Sequence, residues 1–220
     1  MDNMFKNLLS LDKTIAAEYL SQFDIPWQAL YGIKDYIISL GKTLPKGTFM
    51  QMYENVWVST SATIDQTVHI EPPCIIDEGA EIRHCAYIRG AVIIGKNAVV
   101  GNSTELKNCI LFDGVQVPHF NYIGDSILGY KAHLGAGAVT SNVKSDKSLI
   151  TVKVNGEIKK TGLKKFGSII GDNCEIGCNA VLCPGTILGK NVTVYPLSLA
   201  RGYISENSIF KKDGTIITKK

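Results

Sequence analysis

The feature that most constrains this chain is an aliphatic residue that recurs every six positions. Nine such residues follow one another without a gap, namely Val58, Ile64, Ile70, Ile76, Ile82, Ile88, Ile94, Val100 and Leu106. The pattern continues, with two steps shortened by one residue, through Leu111, Val117, Ile123, Leu128 and Leu134, and resumes as Ile170, Ile176, Leu182, Leu188 and Val194. A period of six fits neither a helical face nor plain strand alternation. It predicts a parallel β-helix in which each hexad forms one short strand and one corner.

A small or β-branched residue precedes each aliphatic residue by two positions, as Val56, Ala62 and Val68 do. Because side chains two apart in a strand point to the same side, both positions face the interior. Three equal sides per turn give a triangular prism with coils of about eighteen residues. This pattern resembles that of the left-handed parallel β-helix proteins, so the expected fold is an all-β solenoid. The left-handed sense comes from the resemblance, and the coil comes from the spacing.

The N-terminal segment 1–45 departs from the repeat and has a helical pattern. We expect one helix from Leu8 to Leu20 and a second that runs to Leu40, with Asp24 as its N-cap and Pro26 in its first turn. The open end of a solenoid needs a cover. The segment is therefore expected to cap the first coil.

The remaining chain divides into the β-helix, expected over 46–200, and a C-terminal hairpin or tail over 201–220. Residues 141–167 interrupt the repeat, and within them an Asn155-Gly156 pair between two β-prone runs predicts a hairpin. A second hairpin is expected around Asp213-Gly214. A long excursion from a rigid solenoid is a place where function tends to lie.

Charge and composition exclude several classes of function. The chain has 23 Lys and Arg against 20 Asp and Glu, and its isoelectric point of about 8.4 is lower than that typical of nucleic-acid-binding domains. No apolar run reaches the ~18 residues that a membrane span needs, and the N-terminus lacks a signal-peptide pattern. We therefore expect a cytoplasmic protein with no nucleic-acid or membrane partner. The six cysteines form no C-x-x-C pair and are expected to be free thiols.

Polar residues concentrate in three segments on successive coils, which read GNSTELK at 101–107, PHFNYIGD at 118–125 and GAGAVTSN at 135–142. Two shortened coils of about seventeen residues would stack Asn102, His119 and Ala136 at one corner, about 4.8 Å apart. The same count places Glu105 beside Tyr122.

Two cations belong to the same region of the predicted prism. Counting by coils places Arg89 beside Lys107, with no obvious acid between them. Two neighbouring cations in such an arrangement favour an anion site over an ordinary polar face. A histidine, a carboxylate, a phenol and two cations thus converge within three coils.

The stretch from Arg89 to Asn142 resembles the acetyltransferase domain of the bifunctional glucosamine-1-phosphate N-acetyltransferase/N-acetylglucosamine-1-phosphate uridyltransferase family and its archaeal sugar-phosphate relatives. The motifs G-N-x-x-E-x-K, H-x-x-Y-x-G-D and G-A-G-x-x-x-x-N are all present at matching spacing. The resemblance implies a general base at His119, with Glu105 and Tyr122 completing the catalytic site. It also implies substrate contacts at a further set of residues, namely Arg89, Lys107, Asn102 and Asn142. The backbone at Ala136 is expected to contact acetyl-CoA.

The sequence also departs from that family. His133 stands where the family has an asparagine that contacts the amino sugar, and Cys178 replaces a serine that contacts CoA, so Cys178 is expected at the cofactor site. The insertion after Asn142 is longer than in the bifunctional enzymes. No nucleotidyltransferase domain is expected within these residues, because 45 helical residues cannot build a doubly wound sheet. A metal site is not expected, since Cys174 is predicted to point inward and Cys183 outward.

The resulting hypothesis is an acetyl-CoA-dependent N-acetyltransferase that acts on an amino-sugar 1-phosphate and assembles as a homotrimer, as the resembling family does. Two alternatives stay open at this point. One is a non-catalytic β-helix that binds a sugar nucleotide or serves as a scaffold. The other is an accessory subunit of a sugar-phosphate nucleotidyltransferase.

Overall fold

In the computed structural model, which describes residues 7–154 and 156–219, the chain forms a triangular β-helix. Its parallel strands and hexapeptide repeats are those of the left-handed β-helix that the sequence predicts. The strands are β1 (Phe49–Tyr53), β2 (Val56–Ser59), β3 (Thr63–Ile64), β4 (His69–Glu71), β5 (Cys74–Ile76), β6 (Glu81–Ile82), β7 (Tyr87–Arg89), β8 (Val92–Ile94), β9 (Val99–Asn102), β10 (Glu105–Leu111), β11 (Gln116–His119), β12 (Tyr122–Leu128), β13 (His133–Leu134), β14 (Val139–Thr140), β15 (Thr151–Val154), β16 (Glu157–Lys160), β17 (Ser168–Ile170), β18 (Glu175–Ile176), β19 (Val181–Leu182), β20 (Thr186–Leu188), β21 (Thr193–Val194), β22 (Leu199–Ala200), β23 (Tyr203–Ile204), β24 (Ser208–Phe210) and β25 (Ile216–Thr218).

The strands stack in three walls. Wall 1 contains β3, β6, β9, β11, β13, β18, β21 and β24. Wall 2 contains β4, β7, the first halves of β10 and β12, then β14, β19 and β22. Wall 3 contains β2, β5, β8, the second halves of β10 and β12, then β17, β20 and β23. The aliphatic residues of the hexads fill the space between the walls, where Ile76, Ile94, Val117, Leu134 and Leu188 are fully buried.

Two coils in the middle of the prism are shorter than the rest. Val117 pairs with Val100, and Leu128 pairs with Leu111, so each of these coils advances by seventeen residues. Compared with the longer coils, each of these coils is one residue shorter at the corner between walls 2 and 3. At this corner β10 and β12 continue from one wall to the next as unbroken strands. This register is the one that the sequence predicts, and it aligns the three polar segments.

The N-terminal segment contains 3-10 helices at Leu11–Lys13 and Pro26–Tyr31 and α-helices α1 (Ala17–Leu20) and α2 (Ile33–Gly41). The two long helices predicted there are wrong, because each is divided into shorter pieces. Asp24 is not an N-cap, since the Pro26–Tyr31 helix is preceded by Ile25 and has no side-chain cap. Residues 1–6 of the predicted segment lie outside the described residues.

The placement of this segment also differs from the prediction. Helix α2 lies along wall 3, against β5, β8 and β10, instead of covering the open end of the prism. Gly41 packs so closely on the ring of Trp57 that a Cβ at this position would lie within 2.4 Å of the ring atoms. Further along the prism, Ser10 donates two hydrogen bonds to the buried carboxylate of Asp172. The segment therefore runs lengthwise and covers wall 3.

The interruption at 141–167 leaves the prism at the corner between walls 2 and 3. Strands β15 and β16 form the antiparallel hairpin that the sequence predicts, although Asn155 of the predicted turn lies outside the described residues. Ile150 and Val152 are buried, and both approach Gly185 of the following coil. The segment returns at Phe166, which is fully buried with its ring 6.0 Å from that of Trp27.

The C-terminal segment closes wall 1 with a second hairpin. Strand β25 pairs antiparallel with β24, on either side of the Asp213-Gly214 turn that the sequence predicts. Within the described residues, no helix is long and apolar enough to cross a membrane.

Candidate active site

The predicted site residues lie on wall 2 and on the two corners that flank it. Glu105 and Tyr122 occupy directly paired positions on wall 2. The corner between walls 1 and 2 carries Asn102 paired with His119, followed on the next coils by Ala136 and Cys178. The corner between walls 2 and 3 carries the other predicted residues, namely Arg89, Lys107 and Asn142. One wall with its two corners therefore brings the whole predicted set together.

His119 is exposed, and its imidazole forms no hydrogen bond with the described residues. Its backbone is fixed by Asn121, which is only 2% exposed. The Asn121 side chain accepts a hydrogen bond from the His119 amide and donates to the carbonyls of Gly135 and Ala138 on the next coil. A rigid backbone thus presents an imidazole whose two nitrogen atoms are available to a substrate.

The next coil places backbone donors beside this imidazole. The Gly137 amide donates to the His119 carbonyl at 3.0 Å, and the Ala136 amide has no backbone partner within the described residues. Gly135 lies against Cys178, because a Cβ on Gly135 would be 2.8 Å from the Cys178 nitrogen and 3.0 Å from Sγ. Cys178 is exposed. An unpaired amide next to an exposed base can stabilise negative charge on a reacting carbonyl oxygen.

An acid pairs with one of the two predicted cations, Arg89, although none was expected beside them. The Arg89 Nη1 atom is 2.6 Å from Oε1 of Glu105, and both side chains are only partly exposed. Glu71, which pairs with Arg89 on the preceding coil, accepts a hydrogen bond from the Tyr87 hydroxyl instead. Glu105 therefore orients the guanidinium and leaves its other nitrogen atoms open to an anion.

Lys107 lies in a more positive environment. Burial lowers its pKa, and the neighbouring side chains of Lys165 and Arg89 lower the pKa further, whereas Asp125 acts in the opposite direction. Lys165 comes from the insertion. Three cations thus gather at this end of wall 2 beside two acids, Glu105 and Asp125, and the positive charge in excess favours a bound anion.

A buried polar network supports Tyr122 and Asn142. The carboxylate of Asp125, which is 5% exposed, accepts hydrogen bonds from Asn108 at 2.9 Å and from Asn142 at 2.5 Å. The Asn142 amide also donates to the Tyr122 hydroxyl at 3.2 Å. Burial raises the pKa of Tyr122, and Asp125 and Glu105 raise it further, so this phenol stays protonated at neutral pH and can donate to a substrate.

Asp125, Asn121 and Lys165 are the supporting residues to which sequence analysis assigns no role. Asp125 and Asn121 lie within the polar segment 118–125, but their roles depend on which partners they meet across coils. Lys165 lies in the insertion, whose return path the repeat does not specify. The sequence signal available for Asp125 was its position at the end of the H-x-x-Y-x-G-D motif.

His133 lies elsewhere, on wall 1, where its Nδ1 atom is 2.8 Å from a Glu175 carboxylate oxygen. It therefore does not join the cluster on wall 2 within one chain. Cys174 is fully buried, whereas Cys183 faces outward as predicted, in contact with Arg201 in a groove beside the insertion, although it is only 8% exposed. In the part of the chain that the structure describes, no group of three or more His, Cys, Asp or Glu side chains could hold a metal ion.

Comparison with known proteins agrees with this architecture. A family model described as the GMPPB C-terminal domain matches residues 70–161, and one described as bacterial transferase hexapeptide (six repeats) matches residues 167–199. The bifunctional protein GlmU of Methanococcus maripaludis strain C5 is 31% identical over all of this chain and 55% of its own length. The chain therefore contains the hexapeptide repeats of the second model and is similar to a bifunctional GlmU protein along its whole length.

A second curated relative shows the same similarity. The bifunctional sugar-1-phosphate nucleotidylyltransferase/acetyltransferase of Sulfurisphaera tokodaii is 30% identical over 71% of this chain and 43% of that protein. The chain spans about half the length of the curated relatives that it matches. A solved acetyltransferase domain of PglB from Neisseria gonorrhoeae, in complex with acetyl coenzyme A, covers 71% of this chain and 54% of its own, with 15% identity and a TM-score of 0.35. Likeness at that level says nothing about the substrate.

Proposed function

We propose that this protein is an acetyl-CoA-dependent N-acetyltransferase whose acceptor is an amino-sugar 1-phosphate, as in glucosamine 1-phosphate. The observation that carries the proposal is the arrangement around wall 2. An exposed imidazole and an unpaired amide occupy one corner, and a cluster of three cations occupies the other. In glucosamine 1-phosphate the amine and the phosphate lie on adjacent ring carbons, so the sugar would bind over wall 2 with its amine directed to the first corner and its phosphate to the long cationic side chains that extend from the second.

The reaction requires a base, because the amine of an amino sugar is an ammonium ion at neutral pH. His119 would take one proton from the ammonium, and the free amine would then attack the thioester carbonyl carbon. The Ala136 amide would donate to the carbonyl oxygen as it becomes negative. The imidazolium of His119 releases that first proton to solvent, and the restored imidazole takes the second proton from the positively charged nitrogen of the adduct. As the oxyanion collapses, the C–S bond breaks, and His119 passes the second proton to the thiolate of CoA, which leaves the amide product and the CoA thiol.

The phosphate would bind at the other corner. Arg89 keeps one nitrogen on Glu105 and can direct others to phosphate oxygens, while Lys107 and Lys165 supply additional positive charge. The Tyr122 hydroxyl on wall 2 can donate a hydrogen bond to the sugar, and the side-chain oxygen of Asn142, at the corner that carries the cations, can accept one. Asn102, one coil from His119, is proposed to contact the same substrate. Cys178 and Ala136 are proposed to contact the acyl donor.

Assembly and cellular location are parts of the same proposal. The relatives that carry the resemblance suggest a homotrimer, in which walls 1 and 2 would form the contacts because wall 3 is covered by the N-terminal segment. We also propose that the protein acts in the cytoplasm.

One alternative has an observation in its favour. The curated relatives are bifunctional, the chain matches about half of their length, and one family model is that of the GMPPB C-terminal domain. The chain could therefore serve a sugar-phosphate nucleotidyltransferase as an accessory subunit, without acetyl transfer of its own. A purely non-catalytic scaffold has no such support.

A thiol-release assay with acetyl-CoA and a panel of amino-sugar 1-phosphates separates these functions. The proposal predicts CoA release that requires an amino-sugar 1-phosphate and that falls strongly in the His119→Ala variant. Absence of release with every acceptor, from a protein that is folded by circular dichroism, would favour the accessory role. Equal release with and without an acceptor would mean hydrolysis of the thioester instead of transfer.

A further inference from the structure

The 3-10 helix Pro26–Tyr31 of the N-terminal segment contacts the insertion and the corner between walls 2 and 3. Trp27 is buried, and its ring centroid is 6.0 Å from that of Phe166, a distance typical of packed aromatic pairs. The carbonyl of Leu30, three residues later, accepts a hydrogen bond from the Asn108 side chain at 3.2 Å. A single turn of this helix therefore contacts two elements that are far apart in sequence.

Each of these two contacts lies one residue away from a lysine of the proposed phosphate site. Phe166 directly follows Lys165, and Asn108 directly follows Lys107. Burial lowers the pKa of Lys107, and the adjacent ammonium group of Lys165 lowers it further, so the two lysine side chains are close together. The helix thus contacts the neighbour in sequence of each lysine in the pair.

The two lysines need support to stay together, because like charges in contact repel each other. Lys165 is exposed and belongs to a stretch without regular secondary structure. The residue after it is fixed, since the Phe166 amide donates to the Asn142 carbonyl and the Phe166 carbonyl accepts from the Gly185 amide, both at 3.0 Å. The Phe166 ring is fully buried against Trp27. This packing opposes the repulsion and keeps Lys165 beside its partner.

The same helix also fixes the beginning of the segment 162–166. The Tyr31 hydroxyl donates to the Gly162 carbonyl at 3.2 Å. The next residue, Leu163, is 5% exposed, and its carbonyl accepts from the Ile150 amide at 2.8 Å. The segment that carries Lys165 is therefore held at both ends by contacts with one helical turn.

Asn108 connects this helix to the buried network of the active site. Its side-chain amide donates both to the Leu30 carbonyl and to the Asp125 carboxylate, the latter at 2.9 Å. The same carboxylate accepts a hydrogen bond from Asn142. A displacement of the helix would therefore affect Asn142 through two routes, one through its side chain and one through the Phe166 backbone.

We propose that the N-terminal segment positions the phosphate-binding half of the acceptor site, with Trp27 as the positioning residue. By holding Phe166 and Asn108, the helix sets the separation of Lys165 and Lys107, and this separation determines how well a phosphate is bound. Trp27 is 4% exposed, so it acts through Phe166 and not by touching the substrate. The kinetic consequence rests on the proposed acetyltransferase function.

The kinetic test compares two substitutions of Trp27. Trp27→Ala should raise KM for the amino-sugar phosphate about tenfold, the effect of losing one hydrogen-bonded contact to a charged group. It should leave kcat and KM for acetyl-CoA nearly unchanged, because only ground-state binding of the acceptor is weakened. Trp27→Phe should restore most of the affinity, since it keeps an aromatic ring on Phe166. A variant that merely loses folded protein would instead lower kcat at constant KM.

Trp57→Ala is the matched control, because Trp57 is the other of the two tryptophans and also packs on the N-terminal segment. It is 6% exposed and lies against Gly41, near the first coil. Both Trp→Ala variants remove a buried indole and should lower Tm. Only Trp27→Ala should change KM for the amino-sugar phosphate. Equal changes in KM for the two variants would overturn the specific role of Trp27.

Tyr31→Phe provides a variant that should fold normally, since the Tyr31 side chain is 70% exposed. It removes the hydrogen bond to the Gly162 carbonyl and should raise KM for the amino-sugar phosphate about threefold, as loss of one neutral hydrogen bond does. Tyr36→Phe is the control, because the Tyr36 hydroxyl donates over the same distance to Ile15 within the N-terminal segment. An unchanged KM in both Tyr31→Phe and Trp27→Ala would overturn the proposal.

Cross-linking measures the separation of the two lysines without any substrate. The reagent is difluorodinitrobenzene, which joins two amines through a very short spacer, and the parent protein carries Lys164→Arg so that Lys165 is identified unambiguously. Peptide mass spectrometry should find the link from Lys107 to Lys165 in the parent and in Trp57→Ala. Most of this link should be lost in Trp27→Ala. Equal yields in the three proteins would overturn the positioning role.

The two measurements separate this inference from the proposed function. If the cross-link depends on Trp27 but the wild type acetylates no amino-sugar phosphate, the proposed function fails and the positioning of the lysine pair stands. If the wild type acetylates such a substrate and Trp27→Ala retains both the cross-link and the wild-type KM, the proposed function stands and the positioning role fails.

Discussion

Arg89 and Glu105 form an ion pair of 2.6 Å that joins two neighbouring coils on the wall carrying the active site. The two residues are not direct register partners, because Glu105 pairs with Tyr87. Their side chains meet diagonally, and the carboxylate holds one end of the guanidinium in place. A preorganised guanidinium binds phosphate with less loss of side-chain entropy.

Glu105→Gln should therefore weaken acceptor binding more than it slows the chemical step. We expect KM for the amino-sugar phosphate to rise about tenfold, in line with the loss of a hydrogen bond between charged groups, with kcat changed much less. Glu81→Gln is the matched control, because Glu81 forms a similar pair with Arg83 on wall 1. Steady-state kinetics with both substrates give the answer. A fall in kcat of a hundredfold or more would place Glu105 in the chemistry itself.

His119→Ala should lower kcat by about 10²–10⁴, the usual contribution of a positioned general base. Because the imidazole is exposed and forms no hydrogen bond with the described residues, Tm should change by less than about 1 °C, as for other exposed substitutions. Activity should partly recover at high pH, where more of the amine is already unprotonated. His84→Ala is the control, since His84 lies at the same corner, one coil before Asn102. Equal kcat values for the two variants would contradict the role of His119.

Lys107→Met tests the cation cluster. A pKa lowered by folding means that the ionised lysine costs stability at pH values below the lowered pKa, and that this cost disappears above its ordinary value of 10.5. At pH 7 the variant should thus be at least as stable as the wild type by thermal melting. Added amino-sugar phosphate should raise Tm of the wild type but much less that of the variant. Lys212→Met, in the exposed C-terminal turn, should keep the full response to ligand.

Asp125 and Asn142 form a pair that can be exchanged. In the Asp125→Asn variant, the new NH2 group faces the NH2 group of Asn142. This leaves a buried donor without a partner, which costs about 1–3 kcal/mol. Tm should fall by about 3–10 °C for a chain of this size. Combining it with Asn142→Asp restores a donor opposite an acceptor, and Tm should return toward that of the wild type. Activity should stay low, because the group presented to the substrate has changed. A double variant as unstable as Asp125→Asn would argue against this pairing.

Light scattering at micromolar concentration checks the proposed homotrimer. Three chains of 24.0 kDa would give a particle of about 72 kDa. Charged substitutions on walls 1 or 2 should reduce the mass, and charged substitutions on the exposed face of the N-terminal helices should not. A mass near 24.0 kDa would rule out the trimer.

The sequence predicted the coil, its core and its register because these depend on counting residues along the chain. The pairings of Asn102 with His119 and of Glu105 with Tyr122 follow from the seventeen-residue steps alone. Both hairpins were predictable as well, since short β-prone runs around an Asn-Gly or Asp-Gly pair specify their own partner.

Contacts that depend on side-chain reach or on docking could not be predicted in this way. Register identifies direct partners, and the contact between Arg89 and Glu105 is diagonal. The apolar stripe of the N-terminal helices, with Ile33 and Ile37, shows which face is buried but not which surface covers it. The end of the prism and its side are both apolar, so the stripe alone does not distinguish them. The return of Lys165 to Lys107 depends on the path of the whole insertion.

The N-terminal segment should also determine how the molecule unfolds. A solenoid whose coils contact only their neighbours tends to fray from its ends. Here the N-terminal segment contacts coils that are far apart in the stack. Gly41 packs on Trp57 near the first coil, and the Leu30 carbonyl accepts a hydrogen bond from Asn108 in the middle. Ser10 donates to Asp172 toward the far end. Loss of any one coil therefore weakens the anchoring of all the others. The protein should melt in a single cooperative transition, and proteolytic cleavage within the N-terminal segment should convert that transition into a gradual one.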